Sequence, residues 1–155
     1  MFRPTCSVRV PHRRSPRLKT RATASAFRRD VGGTSNPQFT ARRNNGCYDF
    51  GKALARAVKS WPKRARVAFI ATGGLSHFCL DEEFDRNPIA ALQHKDQSVI
   101  TSTPPAKLKS GSGEIRNWIA LAGAMESLNL NWSDYIPCYR SSAGTGTGIA
   151  FAIWE

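Results

Sequence analysis

Between residues 48 and 61 apolar side chains return every three or four positions, at Phe50, Leu54, Ala57, Val58 and Trp61, with Lys52, Arg56 and Lys59 between them. That period predicts an amphipathic helix. Pro62 closes it, because proline lacks the backbone N–H and clashes with the preceding turn. The basic stretch Lys63-Arg64-Ala65-Arg66 leads into Val67-Ala68-Phe69-Ile70-Ala71, an unbroken apolar run that stops at Gly73-Gly74. A short run of β-branched and aromatic residues halted by glycines predicts a buried strand ending in a tight turn. In residues 81–93, Phe84, Ile89 and Leu92 stand among charges and Pro88 interrupts them, which fits one broken helix or two short ones. Residues 97–112 read as a polar connection containing Pro and Ser. Residues 114–128 form the second strong helix, with Ile115, Trp118, Ile119, Ala122 and Met125 on one face and Ser112 or Gly113 near its cap. Residues 132–139 and 149–154 read as strands separated by the glycine-rich 144–148. Helices alternating with strands predict an α/β fold, a mixed central sheet flanked by helices.

The first 36 residues have no such period. Segments such as Pro11-His12-Arg13-Arg14-Ser15-Pro16 offer too little apolar surface to offset the entropy of ordering, so residues 1–36 are expected to be a disordered basic leader and 37–155 the folded domain. An Arg-rich, acid-poor leader also has the composition of an organelle transit peptide or of a nucleic-acid-binding arm. At 155 residues one core is expected rather than two.

The net charge of +12 is distributed unevenly. Residues 1–36 hold nine Arg and Lys against Asp30 alone, a net +8, which leaves 23 − 9 = 14 basic and 11 − 1 = 10 acidic residues, a net +4, for the rest. The folded part thus gives no reason to expect a nucleic-acid partner. Cys6, Cys47, Cys79 and Cys138 form no C-x-x-C pair, so neither a zinc knuckle nor a disulfide framework is indicated, and reduced thiols in a cytoplasmic protein are expected. No apolar run approaches the roughly 18 residues of a membrane span, so no membrane partner is expected either.

Candidate chemistry centres on Gly73-Gly74-Leu75-Ser76-His77, directly after the expected buried strand. Carboxyl ends of strands in open α/β sheets present side chains to a crevice, and glycines let the backbone approach a ligand closely. His77 is placed for chemistry there, or else packs a turn. Ser76 does not fit a G-x-S-x-G nucleophile elbow, since Phe78 stands where the second Gly is needed. Glu114 opens an apolar helix, where a carboxylate either serves the helix dipole or ligates a metal. His12, in the leader, and His94, beside Lys95, read as surface residues. Gly144-Thr145-Gly146-Thr147-Gly148 lacks the third Gly of G-x-G-x-x-G and the Gly-Lys of a P-loop, so it reads as a flexible turn.

With those residues in view, the chain resembles the catalytic, LigB-like subunit of the class III extradiol ring-cleavage dioxygenases. The likeness runs through Tyr48-Asp49-Phe50-Gly51-Lys52-Ala53-Leu54, Arg66 to Phe78 with its Gly-Gly-Leu-Ser-His, and Gly113-Glu114-Ile115-Arg116-Asn117-Trp118-Ile119 through Gly123-Ala124 to Tyr135-Ile136-Pro137. The resemblance implies a non-haem Fe(II) enzyme that inserts O₂ into a catechol-type aromatic ring and yields a ring-opened semialdehyde. It makes Glu114 an iron ligand and His77 the acid/base that removes and returns a proton. Gly73, Gly74 and Ser76 would contact the substrate. It also implies that two histidine ligands come from an amino-terminal half this sequence does not match, so a truncated subunit with an incomplete iron site and an incomplete family fold is expected. A small partner subunit or a homodimer would complete the pocket. The alternative is a non-catalytic interaction protein that keeps the fold.

Overall fold

The computed structural model describes residues 37–155, and the expected leader disorder, Cys6 and His12 lie outside them. The chain runs α1 (Pro37–Lys59), β1 (His77–Cys79), α2 (Glu82–His94), α3 (Gln97–Thr101), α4 (Ile115–Ala124), β2 (Leu130–Tyr139) and β3 (Thr145–Trp154), with 3-10 turns at Pro105–Lys107 and Ser110–Glu114. β3 lies between β1 and β2, and both pairings are antiparallel. Helices and sheet thus make an α/β domain whose sheet is open. Among the described residues no disulfide joins Cys47, Cys79 and Cys138, and no helix is long and apolar enough to cross a membrane.

The core forms where α1 crosses α4. Tyr48, Ile115, Trp118 and Ile119 are buried there, and the two backbones come so close that only glycine fits at the crossing. A Cβ on Gly51 would stand 1.8 Å from the Ala120 carbonyl oxygen, and one on Gly123 would stand 2.0 Å from that of Tyr48. Asn44, fully buried, donates from Nδ2 to the carbonyls of Thr101 (3.0 Å) and Thr103 (3.1 Å). One amide therefore ties α1 to the carboxyl end of α3, whose last carbonyls have no partner within that helix.

Several boundaries differ from the expected ones. α1 runs back to Pro37, a residue well tolerated at a helix start, and its first turns escape the sequence pattern because they carry no hydrophobic period. The segment expected to be broken is one helix, α2, which passes through Pro88, because Phe84, Pro88 and Leu92 are buried along one face and their packing outweighs the lost hydrogen bond. The connection at 97–112 contains α3 and the two 3-10 turns, since Asp96 caps the Val99 N–H. Of the glycines at 144–148 only Gly144 belongs to the hairpin turn, and Gly146 and Gly148 lie within β3.

The largest correction concerns residues 67–71, which do not form a strand. Val67 is 40% and Ile70 65% exposed. A strand exists by virtue of its ladder partner, and among the described residues nothing pairs with this run.

Asp81 begins α2 by accepting the Phe84 N–H at 3.1 Å and pairing with Lys107. The Lys107 ammonium first, then the Phe84 N–H, hold its carboxyl below the usual range. A depressed folded pKa gives a contribution present above the unfolded value and lost as pH falls through the folded one. Asp81→Asn should flatten the acid limb of the stability–pH curve below about pH 4, measured by urea unfolding. At neutral pH it should cost less than the ~1 kcal/mol of an uncapped helix, because Asn still caps.

Candidate functional site

The segment from Thr72 to His77 has no regular structure before β1, yet nearly every polar group in it is held. From α4, Asn117 Nδ2 donates to the Thr72 carbonyl (2.8 Å) and Trp118 Nε1 to that of Gly73 (3.2 Å). Leu75, 1% exposed, donates its N–H to the Gly148 carbonyl (2.7 Å) and anchors the loop to β3. Gly73 sits at φ +129°, and a Cβ there would lie 2.7 Å from the Glu114 side chain. Both the backbone angle and the neighbour demand glycine.

Glu114 ends the 3-10 turn Ser110–Glu114 and stands at the start of α4 without capping it. Its Oε2 instead accepts the Gly74 N–H at 3.0 Å. The carboxylate therefore reaches across to the glycine loop, and its side chain stays 44% exposed.

His77 is fixed from three directions. Its backbone N–H donates to Ser112 Oγ at 3.0 Å, and Gly111 lies against its ring, where an added Cβ would fall 2.7 Å from Cγ. Nδ1 lies 3.0 Å from the Leu75 carbonyl. A carbonyl only accepts, so this contact places the proton on Nδ1 and leaves Nε2 as the nitrogen able to take a proton. Nε2 lies 3.5 Å from Glu114 Oε2. Residues 37 positions apart in sequence thus meet at one mouth, a basic nitrogen beside a part-exposed carboxylate.

Ser76 is placed differently from the other candidates. It is 4% exposed, its Oγ donates to Asp85 Oδ2 (2.7 Å) and it accepts the Asp81 N–H (3.0 Å), so the hydroxyl is fully engaged within the fold. His94 closes α2 on the surface, apart from this site.

Behind the site lies a group that sequence reasoning passed over. Asp85 is fully buried and accepts the Ser76 N–H (2.8 Å), the Ser76 hydroxyl (2.7 Å) and the Tyr135 hydroxyl (2.8 Å). Burial, and then the bond to Asp85, push the Tyr135 phenol well above its ordinary value, so it remains a donor at any physiological pH. The signal was present in α2: Asp85, Pro88 and Leu92 follow the three- and four-residue spacing of its buried face. The charges around Asp85 made it look solvated. Ser112 and Asn117 carried no comparable sequence signal.

Among the described residues no group of three His, Cys, Asp or Glu side chains is disposed to hold a metal ion. The His77–Glu114 pair offers only two ligating side chains.

Two comparisons with known proteins bear on the family of the chain. The family model described as the catalytic LigB subunit of aromatic ring-opening dioxygenase matches residues 34–150. A gallate dioxygenase of Pseudomonas putida is 34% identical over 138 residues, which cover 81% of this chain and 37% of the relative. The chain thus spans little more than a third of the length of this curated relative.

Proposed function

Because the chain belongs to the family of catalytic LigB subunits of aromatic ring-opening dioxygenases, we propose that residues 37–155 carry the acid/base part of an extradiol site. The reaction would insert both atoms of O₂ into a catechol-type ring and give a ring-opened semialdehyde. The supporting observation is the meeting of His77 Nε2 and Glu114 Oε2 at 3.5 Å beside the Gly73-Gly74 loop.

In this reading His77 takes the proton of a substrate hydroxyl on Nε2 and later returns it, while the Nδ1 contact to Leu75 keeps the ring oriented. The Gly73-Gly74 backbone, clamped by Asn117 and Trp118, would form the wall against which an aromatic ring lies. Ser76 would serve the site by holding the loop to Asp85 rather than by touching substrate.

Fe(II) is the metal of this proposal, and it would polarise the bound hydroxyls and O₂, with Glu114 giving one carboxylate oxygen. The described residues alone do not fit it, since they contain no three-donor group. A transition-metal site with open positions needs three protein ligands on one face. The others would have to come from outside the described residues, whether from a longer subunit, a small partner subunit or a second copy. The incomplete donor set also favours the second reading, a non-catalytic interaction protein that retains the fold.

Purified anaerobically, loaded with Fe(II) and given O₂ with protocatechuate, gallate or catechol, the chain by itself should hold iron weakly and open no ring. Ring opening would be followed by O₂ uptake and by loss of the aromatic absorbance. A stoichiometric iron complex that turns over would show that the chain completes its own site.

A further inference from the structure

Two of the hydrogen bonds that shape the mouth have their acceptors on one short piece of chain. Ser112 Oγ accepts the His77 N–H (3.0 Å), and Glu114 Oε2 accepts the Gly74 N–H (3.0 Å). Both residues belong to an arm, residues 105–114, that contains the two 3-10 turns. The amides in between are held from elsewhere: Leu75 donates to the Gly148 carbonyl on β3 (2.7 Å), and Ser76 donates to Asp85 Oδ1 on α2 (2.8 Å). Along these successive residues the outer N–H groups therefore report on the arm, and the inner ones on the body of the fold.

The arm has little to hold its own shape. Leu108 and Ile115 are buried, but no residue between them is. Ser110 takes φ +51°, a left-handed angle that favours glycine, and the hydrogen bonds of 3-10 turns are poorly aligned. Contacts at its base must therefore fix it. On one side the Leu108 carbonyl accepts from Arg116 Nη1 (3.3 Å), which ties the arm to α4. On the other, Lys107 pairs through Nζ with Asp81 Oδ2 at the start of α2, and the same ammonium lies 5.4 Å from the centre of the Phe84 ring.

We propose that Lys107, clasped to Asp81, is a positioning residue for the mouth: it fixes the arm between α2 and α4 so that Ser112, Gly111 and Glu114 meet His77 and Gly74 in the observed geometry. Gly111 transmits the effect to the imidazole. It lies so close to the ring that an added Cβ would fall 2.7 Å from Cγ, so an arm that shifts must free or press the ring. The inference rests on the proposed acid/base role of His77 for its consequence, while the clasp itself involves neither iron nor substrate.

The test uses the whole chain, without metal or substrate, and follows single amides by hydrogen exchange in NMR spectra. Lys107→Met keeps the stem and removes the charge. Loss of an exposed ion pair with its cation–π contact is worth about three- to fivefold in a local opening equilibrium. Exchange at the His77 and Gly74 N–H should rise by that factor, with Leu75 and Ser76 unchanged. Lys107→Arg should restore the parent rates. Asp81→Asn, which still caps α2, should reproduce the Lys107→Met rates and add nothing to them in the double variant. The ring nitrogen signals of His77 should move from the Nδ1-protonated tautomer toward a mixture of the two. An equal rise at all four amides would make Lys107 a general stabiliser, and no rise at His77 and Gly74 would remove the clasp. Additive rises would separate Lys107 from Asp81, and an unchanged ring spectrum would mean an arm that loosens without moving His77. Each of these overturns the proposal. Failure of the acid/base reading shows elsewhere, as a His77→Ala variant that opens rings at the parent rate, and leaves the exchange result standing.

Discussion

In a chimera joining residues 37–155 to the unmatched remainder of the gallate dioxygenase, Glu114→Ala should remove bound iron, whereas His77→Ala should leave iron in place and slow ring opening. The expected loss at His77 is about 10²-fold or more, the usual scale for a positioned general acid/base. The two residues share one mouth, 3.5 Å apart, yet the proposal gives them different work. Glu114 would contribute a ligand oxygen, so its removal acts on binding. His77 presents a single available nitrogen, Nε2, because Nδ1 is engaged with the Leu75 carbonyl, so its removal acts on proton transfer. Iron content by metal analysis and single-turnover rates under O₂ separate the two. Equal loss of iron in both variants would make His77 a ligand rather than a proton carrier. A His77→Ala variant with undiminished rate would exclude it from the chemistry.

The parts of the fold that could be read from the sequence are those whose stabilisation is local. The α4 helix was legible because Ile115, Trp118 and Ile119 repeat with the helical period and are in fact its buried face. The β2–β3 hairpin was legible from two apolar runs around glycines, although the hairpin turn falls at residues 140–144 rather than over the whole glycine stretch. Residues 67–71 misled because a hydrophobic run reports what a segment would do once paired, and pairing depends on chain elsewhere. The same limit governed the site. His77 and Glu114 could be singled out as residue types in suitable contexts, but their 3.5 Å approach depends on the Gly73 conformation and on the Ser112 and Gly74 contacts, which no local pattern encodes.

Asp85→Ala should destabilise the fold by about 3–5 kcal/mol, a large share of the 5–15 kcal/mol that holds a typical domain together. The carboxylate is fully buried and accepts three hydrogen bonds, from the Ser76 N–H, the Ser76 hydroxyl and the Tyr135 hydroxyl. Its loss strands those donors in a dry interior, and each such group costs about 1–3 kcal/mol. Tyr135→Phe removes only one of them while keeping the ring, so it should cost about 1–1.5 kcal/mol. The two should not add: in the Asp85→Ala background Tyr135→Phe should cost nearly nothing, since its acceptor is already gone. Asp85→Asn keeps the volume and, with Oδ1 on the Ser76 N–H, turns Nδ2 toward the Ser76 and Tyr135 hydroxyls, which accept as well as donate, so it should recover a good part of the loss. Urea unfolding of the four proteins closes the cycle, and additive losses would show that Asp85 and Tyr135 act independently. Because Ser76 immediately precedes His77, the same variants should loosen the histidine. In the chimera that would lower the ring-opening rate while leaving iron content unchanged.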